Sequence, residues 1–356
     1  VNNKRTISFI SDSDFEKLLD NLENKGRVYI PQALESIDGR EYYNYEIRSE
    51  DKKFNYFGFR PSQPLKTFLF SRRMKVAEYP AGDKDKDFTV NEQVFIVGAA
   101  ACDIESLRSL DVVFLDEAFT DIFYRARRDN TFIITEDCSE PRETCFCTLA
   151  GNNPYPEKGF DLNLSRIEGG YIIEAGSEKG EEVLGQNSPL VSNATDAHLK
   201  KRDEIRSKTA EKIIEQNKEY ELTKSRHDIL EIQRESDDWY EHVKTCVECG
   251  ACLFSCPTCH CFLLYDQKSS DGKFQRIKGW DVCVYSGFSK MAGGSSPRLG
   301  LMERFRHRYL HKLEYFPKNF GFEACTGCGR CIEGCMGKID MRKVFKALDI
   351  EKVETR

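Results

Sequence analysis

Two cysteine runs constrain this chain more than any other feature of it. The first is Cys246-Val-Glu-Cys249-Gly-Ala-Cys252-Leu-Phe-Ser-Cys256-Pro257, and the second is Cys325-Thr-Gly-Cys328-Gly-Arg-Cys331-Ile-Glu-Gly-Cys335. Each has the Cys-x2-Cys-x2-Cys-x3-Cys spacing that holds a [4Fe-4S] cluster in bacterial ferredoxins. The x2 spacings let one loop present three sulfurs while backbone N–H groups face the cluster and offset its negative charge. Gly250 and Gly329 allow the backbone to come close. The fourth cysteine of each run faces the other cluster. The spacing therefore predicts Cys246, Cys249, Cys252 and Cys335 for one cluster, and Cys325, Cys328, Cys331 and Cys256 for the other. Met336 stands where the second run would repeat Pro257. Proline is not a ligand, so the sets are unchanged. Zinc is the competing reading, because two Cys-x2-Cys pairs can form a four-thiolate site. Zinc needs four cysteines, however, and the runs supply two sets of four at the ferredoxin offsets.

The chain has 356 residues, 15 of them cysteine, an odd number that weakens a disulfide framework. The net charge of −6, from 53 basic and 59 acidic residues, argues against nucleic acid or an anionic membrane surface as the main partner. No apolar stretch reaches the roughly 18 residues of a membrane span. The segment after Val1 leads into no signal-like apolar stretch. The expectation is a cytoplasmic protein, where dense cysteine means metal or redox chemistry.

Taken in order, the chain begins with a helix signal. Ser13 to Glu16 fits a capping box, and Phe15, Leu18, Leu19 and Leu22 form one apolar face. Gly26 is placed just past the helix end in a left-handed conformation. Arg27 to Ile30 reads as a strand stopped by Pro31. The aromatic-rich residues 41–80 read as short strands. Phe95 to Cys102 is an apolar strand with a small-residue turn, and Asp103 to Leu110 a helix. That pair is like the start of a nucleotide-binding unit but lacks G-x-G-x-x-G, so close packing of helix on strand is the favoured reading. A short helix at 121–128 and a strand at Thr131 to Thr135 continue the alternation. Residues 151–198 show one strand, Tyr171 to Ala175. Residues 199–242 are highly charged and lack glycine and proline, which predicts one or two long helices docking by a narrow apolar stripe.

The fold class is therefore α+β. A mixed α/β domain spans residues 1–184, a linker with a long charged helix 185–242, and a mainly helical, expanded dicluster ferredoxin domain 243–356.

Seven cysteines lie outside the runs. Cys102, Cys138, Cys145 and Cys147 sit in the N-terminal domain, after predicted strands. Neighbouring strand ends can gather such residues. A third cluster competes with a scatter of small core cysteines, and the Cys145-Phe-Cys147 pair favours ligation. Cys259, Cys261 and Cys283 lie near the first run. They either complete an additional cluster, with a fourth ligand from His260, Asp281 or the other domain, or simply pack there. His260 reads as a neighbour rather than a ligand.

Cys246 to Phe262, Trp280-Asp-Val-Cys283, Met291-Ala-Gly-Gly294, Arg304-Phe-Arg-His-Arg308-Tyr309 and the last run together resemble the β subunit of soluble NAD(P)-linked [NiFe] hydrogenases, the sulfhydrogenases. They are equally similar to the homologous iron–sulfur subunit of anaerobic sulfite reductase. Ala101-Cys102-Asp103, Leu110-Asp111 and Cys145-Phe-Cys147 extend the likeness into the N-terminal half. The resemblance implies an electron-transfer subunit with several [4Fe-4S] clusters, the N-terminal cysteines among their ligands. It would link a flavoprotein partner, carrying FAD and a [2Fe-2S] cluster and using NAD(P)H, to a catalytic metalloenzyme partner with a [NiFe] or sirohaem centre.

The chain shows no flavin or nicotinamide fingerprint of its own, and the expectation is a component of an oxidoreductase complex with no catalytic residues of its own. Two rival functions stand beside this relay. One is a sulfur-compound reductase with an open-site cluster at Cys259, Cys261 and Cys283. The other is a zinc-stapled scaffold.

Overall fold

The computed structural model describes residues 5–36, 39–79 and 92–349. The first four residues, part of the segment read above as lacking a signal, lie outside these. Among the described residues, eleven strands form two sheets. Strands β1 (Ile7–Ser11), β2 (Gly26–Ala33), β3 (Tyr43–Ile47), β4 (Arg73–Tyr79), β5 (Gln93–Ala100) and β6 (Thr131–Glu136) come first. Strands β7 (Leu162–Ile167), β8 (Gly170–Ala175), β9 (Ser192–Asn193), β10 (Phe262–Lys268) and β11 (Phe274–Trp280) follow.

The large sheet runs β3-β2-β5-β6-β7-β8-β1-β9. Its centre, β2, β5, β6 and β7, is parallel, and antiparallel strands flank it. Alternation along β5 sends Phe95 and Val97 to one face and Ile96 to the other. The first face packs on the helix Asp12–Glu23 through Phe15, Leu18, Leu19 and Leu22. The second packs on the helix Ala101–Phe114 through Ile104, Leu107 and Leu110. Each such buried leucine contributes about 1.5–3 kcal/mol. The fold is α+β, as the sequence implied.

Some local expectations change. The first helix is capped by Ser11, whose side chain accepts from Asp14 N at 3.1 Å, and not by Ser13. Gly26 opens β2 instead of ending the helix in a left-handed turn. A Cβ there would meet the Gln93 carbonyl oxygen of β5 at 2.0 Å, so the neighbouring strand demands glycine. Pro31 does not stop β2, which continues to Ala33 by pairing with β3. Proline lacks only the N–H, and the rest of the ladder survives around it. Strand β7, not read from the sequence, is buried on both faces although Asn163 and Ser165 alternate with its leucines. Both are buried against Asp137, with bonds of 3.0 and 2.6 Å to its carboxylate.

The long charged helix is Asp196–Asn217, buried along Thr209, Ile213 and Asn217. Beyond it, short helices build a second core around Trp239, Phe305, Tyr309, Leu313, Val344 and Phe345. Phe146, from the N-terminal half, belongs to this core. The hairpin β10–β11 pairs with β4, so a strand from residues 73–79 and two from residues 262–280 share one sheet. Among the described residues no helix is long and apolar enough to cross a membrane.

Candidate iron–sulfur centres

The two cysteine runs fold alike. Gly250 (φ 72°, ψ −4°) precedes the short helix Ala251–Phe254, and Gly329 (φ 73°, ψ −5°) precedes the matching helix Arg330–Glu333. Two residues after the first cysteine, each run again turns left-handed, at Glu248 (φ 55°) and Gly327 (φ 67°). Glycine accepts that conformation freely, whereas glutamate adopts it at a cost of order 1–3 kcal/mol. Glu248 is held there by Arg304, whose Nη2 donates to its carboxylate at 2.9 Å.

The runs interlock. A Cβ at Gly337, just past the second run, would meet the Thr245 carbonyl oxygen at 2.1 Å. The thiols of Cys246 and Cys252 both have Cys335 among their charged neighbours, and the two also neighbour Cys249. Cys325, Cys328 and Cys331 all neighbour Cys256. The fourth cysteine of each run thus sits with the first three of the other. Burial pushes Cys331 up to about 12, so its free thiol is protonated at neutral pH and a metal must displace that proton. Cys249 is exposed.

The N-terminal four also converge. Cys102 begins the helix after β5, and Cys138 lies two residues beyond its parallel neighbour β6. Gly98 (φ 80°) makes a bulge at the end of β5, shifting the register between Val97 and Ala99. Cys145 and Cys147 stand on the following loop, anchored by Phe146 in the C-terminal core. All four line one small cavity, and Cys328 of the second run is on its wall. The loop and that run are in backbone contact. Phe146 N donates to the Gly327 carbonyl at 2.8 Å. A Cβ at Gly327 would meet Cys147 Cα at 2.5 Å, and one at Gly329 the Thr144 carbonyl oxygen at 2.1 Å. From the other side, Gln216 and Asn217 of the charged helix donate to the Cys145 carbonyl at 2.7 and 2.8 Å.

Cys259, Cys261 and Cys283 line a separate small cavity. Lys312 borders it, donating to Thr258 Oγ1 at 2.8 Å and to Cys256 Sγ at 3.3 Å. Burial opposes the charge of Lys312, but the sulfurs of Cys256 and Cys259 outweigh it and hold the ammonium above its ordinary range. Lys66 donates to the carbonyls of Leu253 and Cys259 at 3.2 and 3.1 Å. Burial pushes it down to about 8, against the pull of Cys259 and Cys256. Arg308 lies among Cys252, Cys331 and Cys256, with its Nε buried and without a hydrogen-bond partner.

Lys66, Arg308 and Lys312 are 2%, 6% and 5% exposed, and among the described residues none has a carboxylate in salt-bridge range. An unpaired buried cation costs several kcal/mol. Anionic groups amid the thiols offset that cost, as thiolate-bound iron–sulfur clusters do. The donor sets, the glycine cradles and the cations all fit such clusters.

None of these cations was read from the sequence, nor were Arg60 and the pair Gln216–Asn217. Arg60, 2% exposed, donates through Nε to the Cys328 carbonyl and pairs with Glu333 at 2.6 Å. Arg308 stands within the Arg304–Tyr309 motif, but neither that motif nor the lone Lys66 and Arg60 reveals that a basic side chain is buried beside cysteines.

Two interlocked, glycine-cradled sets of four cysteines define a dicluster iron–sulfur protein. Residues 245–339 match the family described as the 4Fe-4S dicluster domain, which supplies two [4Fe-4S] clusters and with them electron transfer. The whole chain narrows this further. It is 31% identical over 334 residues to sulfhydrogenase 2 subunit beta of Pyrococcus furiosus, covering 93% of this chain and 95% of that relative. The chain belongs to the sulfhydrogenase β-subunit family and is an iron–sulfur subunit of that kind.

Proposed function

We propose that this subunit relays electrons between a flavoprotein partner that uses NAD(P)H and a catalytic partner with a [NiFe] centre. Cys246, Cys249, Cys252 and Cys335 hold one [4Fe-4S] cluster, and Cys325, Cys328, Cys331 and Cys256 the second. Cys102, Cys138, Cys145 and Cys147 hold a third. When bound, such clusters pass single electrons at potentials set by net charge, hydrogen bonds to sulfur and burial.

The observation that carries this reading is the contiguity of the three sets. Cys328 stands on the wall of the N-terminal cavity, and Cys256 and Cys335 are exchanged between the runs. The sets therefore form one series, from the buried Cys102 and Cys147 to the exposed Cys249. The chain's own side chains shield the inner centres from water, and Arg308 and Lys312, which have no carboxylate partner among the described residues, offset their negative charge. The likeness to a sulfhydrogenase subunit favours a [NiFe] partner over a sirohaem one.

Anaerobic co-purification with the partners tests the reading. NAD(P)H should reduce the isolated chain only when the flavoprotein is added, and the chain alone should turn over neither hydrogen nor polysulfide. Turnover of polysulfide by the chain alone would replace the relay with a reductase acting at Cys259, Cys261 and Cys283.

A further inference from the structure

The dicluster domain and the N-terminal set leave three cysteines unused, and the fold brings those three together. Cys261 precedes β10 and Cys283 follows β11, so the hairpin returns the chain to its starting point. Asp281 N donates to the Cys261 carbonyl at 3.0 Å and fixes that closure. Cys259 enters from the end of the first run. The three thiols line one small, largely enclosed cavity.

Two further observations point to an anionic metal group in that space. Lys312 and Arg308 line it, both buried, and neither has a carboxylate partner among the described residues. Lys312 is delivered by a π-helical turn, His311–Tyr315, that interrupts the helix beginning at Leu301. Turns of that kind are uncommon and concentrate at functional sites.

A nitrogen donor is also present. His260 lines the cavity, and its Nδ1 lies 3.1 Å from the Thr258 carbonyl. A carbonyl can only accept, so Nδ1 carries the proton and Nε2 keeps its lone pair. This is the arrangement of metal-binding histidines, whose second nitrogen is tied to a carbonyl or carboxylate. The sequence alone reads His260 as a bystander, because nothing in it reveals the Thr258 contact.

We propose that Cys259, Cys261 and Cys283 hold a further [4Fe-4S] cluster, with His260 Nε2 as its fourth ligand. It adjoins the second centre, because Cys259 N donates to the Cys256 carbonyl at 3.4 Å and Lys312, which donates to Cys256 Sγ, borders the same cavity. This inference rests on the iron–sulfur reading of the dicluster domain but not on the N-terminal set.

The test is iron and acid-labile sulfide analysis of the anaerobically purified full chain. The variant Cys259→Ser/Cys261→Ser/Cys283→Ser should lose about four irons relative to the parent. Unchanged iron in that variant would overturn the proposal, as would stoichiometric zinc in the parent. If the triple variant does not fold, Cys145→Ser/Cys147→Ser gives the same decision. With the N-terminal set disabled, about twelve irons mean the further cluster is present, and about eight mean it is absent. The same comparison separates failure here from failure of the N-terminal set, which is read from the iron lost when Cys145 and Cys147 are replaced. His260→Ala should retain the cluster and change the electron paramagnetic resonance spectrum of one centre. An unchanged spectrum would remove His260 as ligand.

Discussion

Arg330 Nη2 and Asp103 Oδ2 meet at 2.7 Å with their side chains 2% and 0% exposed. One residue opens the short helix inside the second cysteine run, and the other lies in the first turn of the helix after β5. Arg330 also donates through Nε to the Pro61 carbonyl at 3.0 Å. The pair therefore joins the N-terminal sheet to the dicluster domain where their cysteines adjoin. Removing one member of such a pair strands the other. Asp103→Asn or Arg330→Met should each destabilise the protein by about 3–5 kcal/mol, and the double variant by less than the sum of the two. Denaturant unfolding of the three variants measures this directly.

The glycines of the second run make a sharper prediction. Gly327→Ala and Gly329→Ala each add a Cβ against the backbone of the Thr144–Cys147 loop, at a left-handed position. Backbone cannot yield as a side chain tip can. Both variants should lose iron from the second run and from the N-terminal set together. Gly185→Ala is the control. It lies in the helix Glu178–Gln186 with nothing within 4 Å, and should leave iron unchanged while adding up to about 1 kcal/mol of stability.

The buried cations should tune potential more than stability. Lys312→Met removes a positive charge 3.3 Å from Cys256 Sγ. Adding an electron to the adjacent cluster then becomes harder, so its potential should fall. At an effective dielectric of about 20 the shift is roughly 50–150 mV. A redox titration followed by electron paramagnetic resonance reads it, and Lys312→Arg should restore much of the parent value.

What the sequence revealed and what it hid divide along physical lines. The eight cysteines of the runs are legible because ligation imposes a local spacing, and local spacing is what a sequence displays. The helix Asp12–Glu23 is legible because one buried face imposes a period, and strands β5 and β6 because burial on both faces imposes a short continuous apolar run. Strand β7 hid because its alternation stops at Ser165, where Arg166 and Ile167 reverse it, and because Asn163 and Ser165 are buried as polar partners of Asp137. The hairpin β10–β11 hid for the opposite reason, since much of β10 is exposed on both faces. The N-terminal four cysteines could be suspected from strand ends, but only the pairing of β5 with β6 and the seat of Phe146 bring them together. Lys66, Arg308 and Lys312 had no signature, because a buried cation is defined by what surrounds it.

Acid sensitivity follows from a partly buried histidine beside Arg308. Burial, and after it Arg298, pushes His307 down to about 4, below the ordinary value near 6.5. Between those values the unfolded chain binds the proton more readily than the folded one. Stability should therefore hold above about pH 6.5 and decline as pH falls toward 4. His307→Gln should flatten that decline in thermal melts taken between pH 7 and pH 5.

The relay itself is tested most directly in the assembled complex. Cys252→Ser weakens the first cluster without touching either partner. The complex should then lose NAD(P)-coupled hydrogen turnover, while the flavoprotein still reduces an artificial dye and the catalytic partner still exchanges hydrogen with one. Coupled turnover at the parent rate in a complex shown by iron analysis to lack that cluster would contradict the relay.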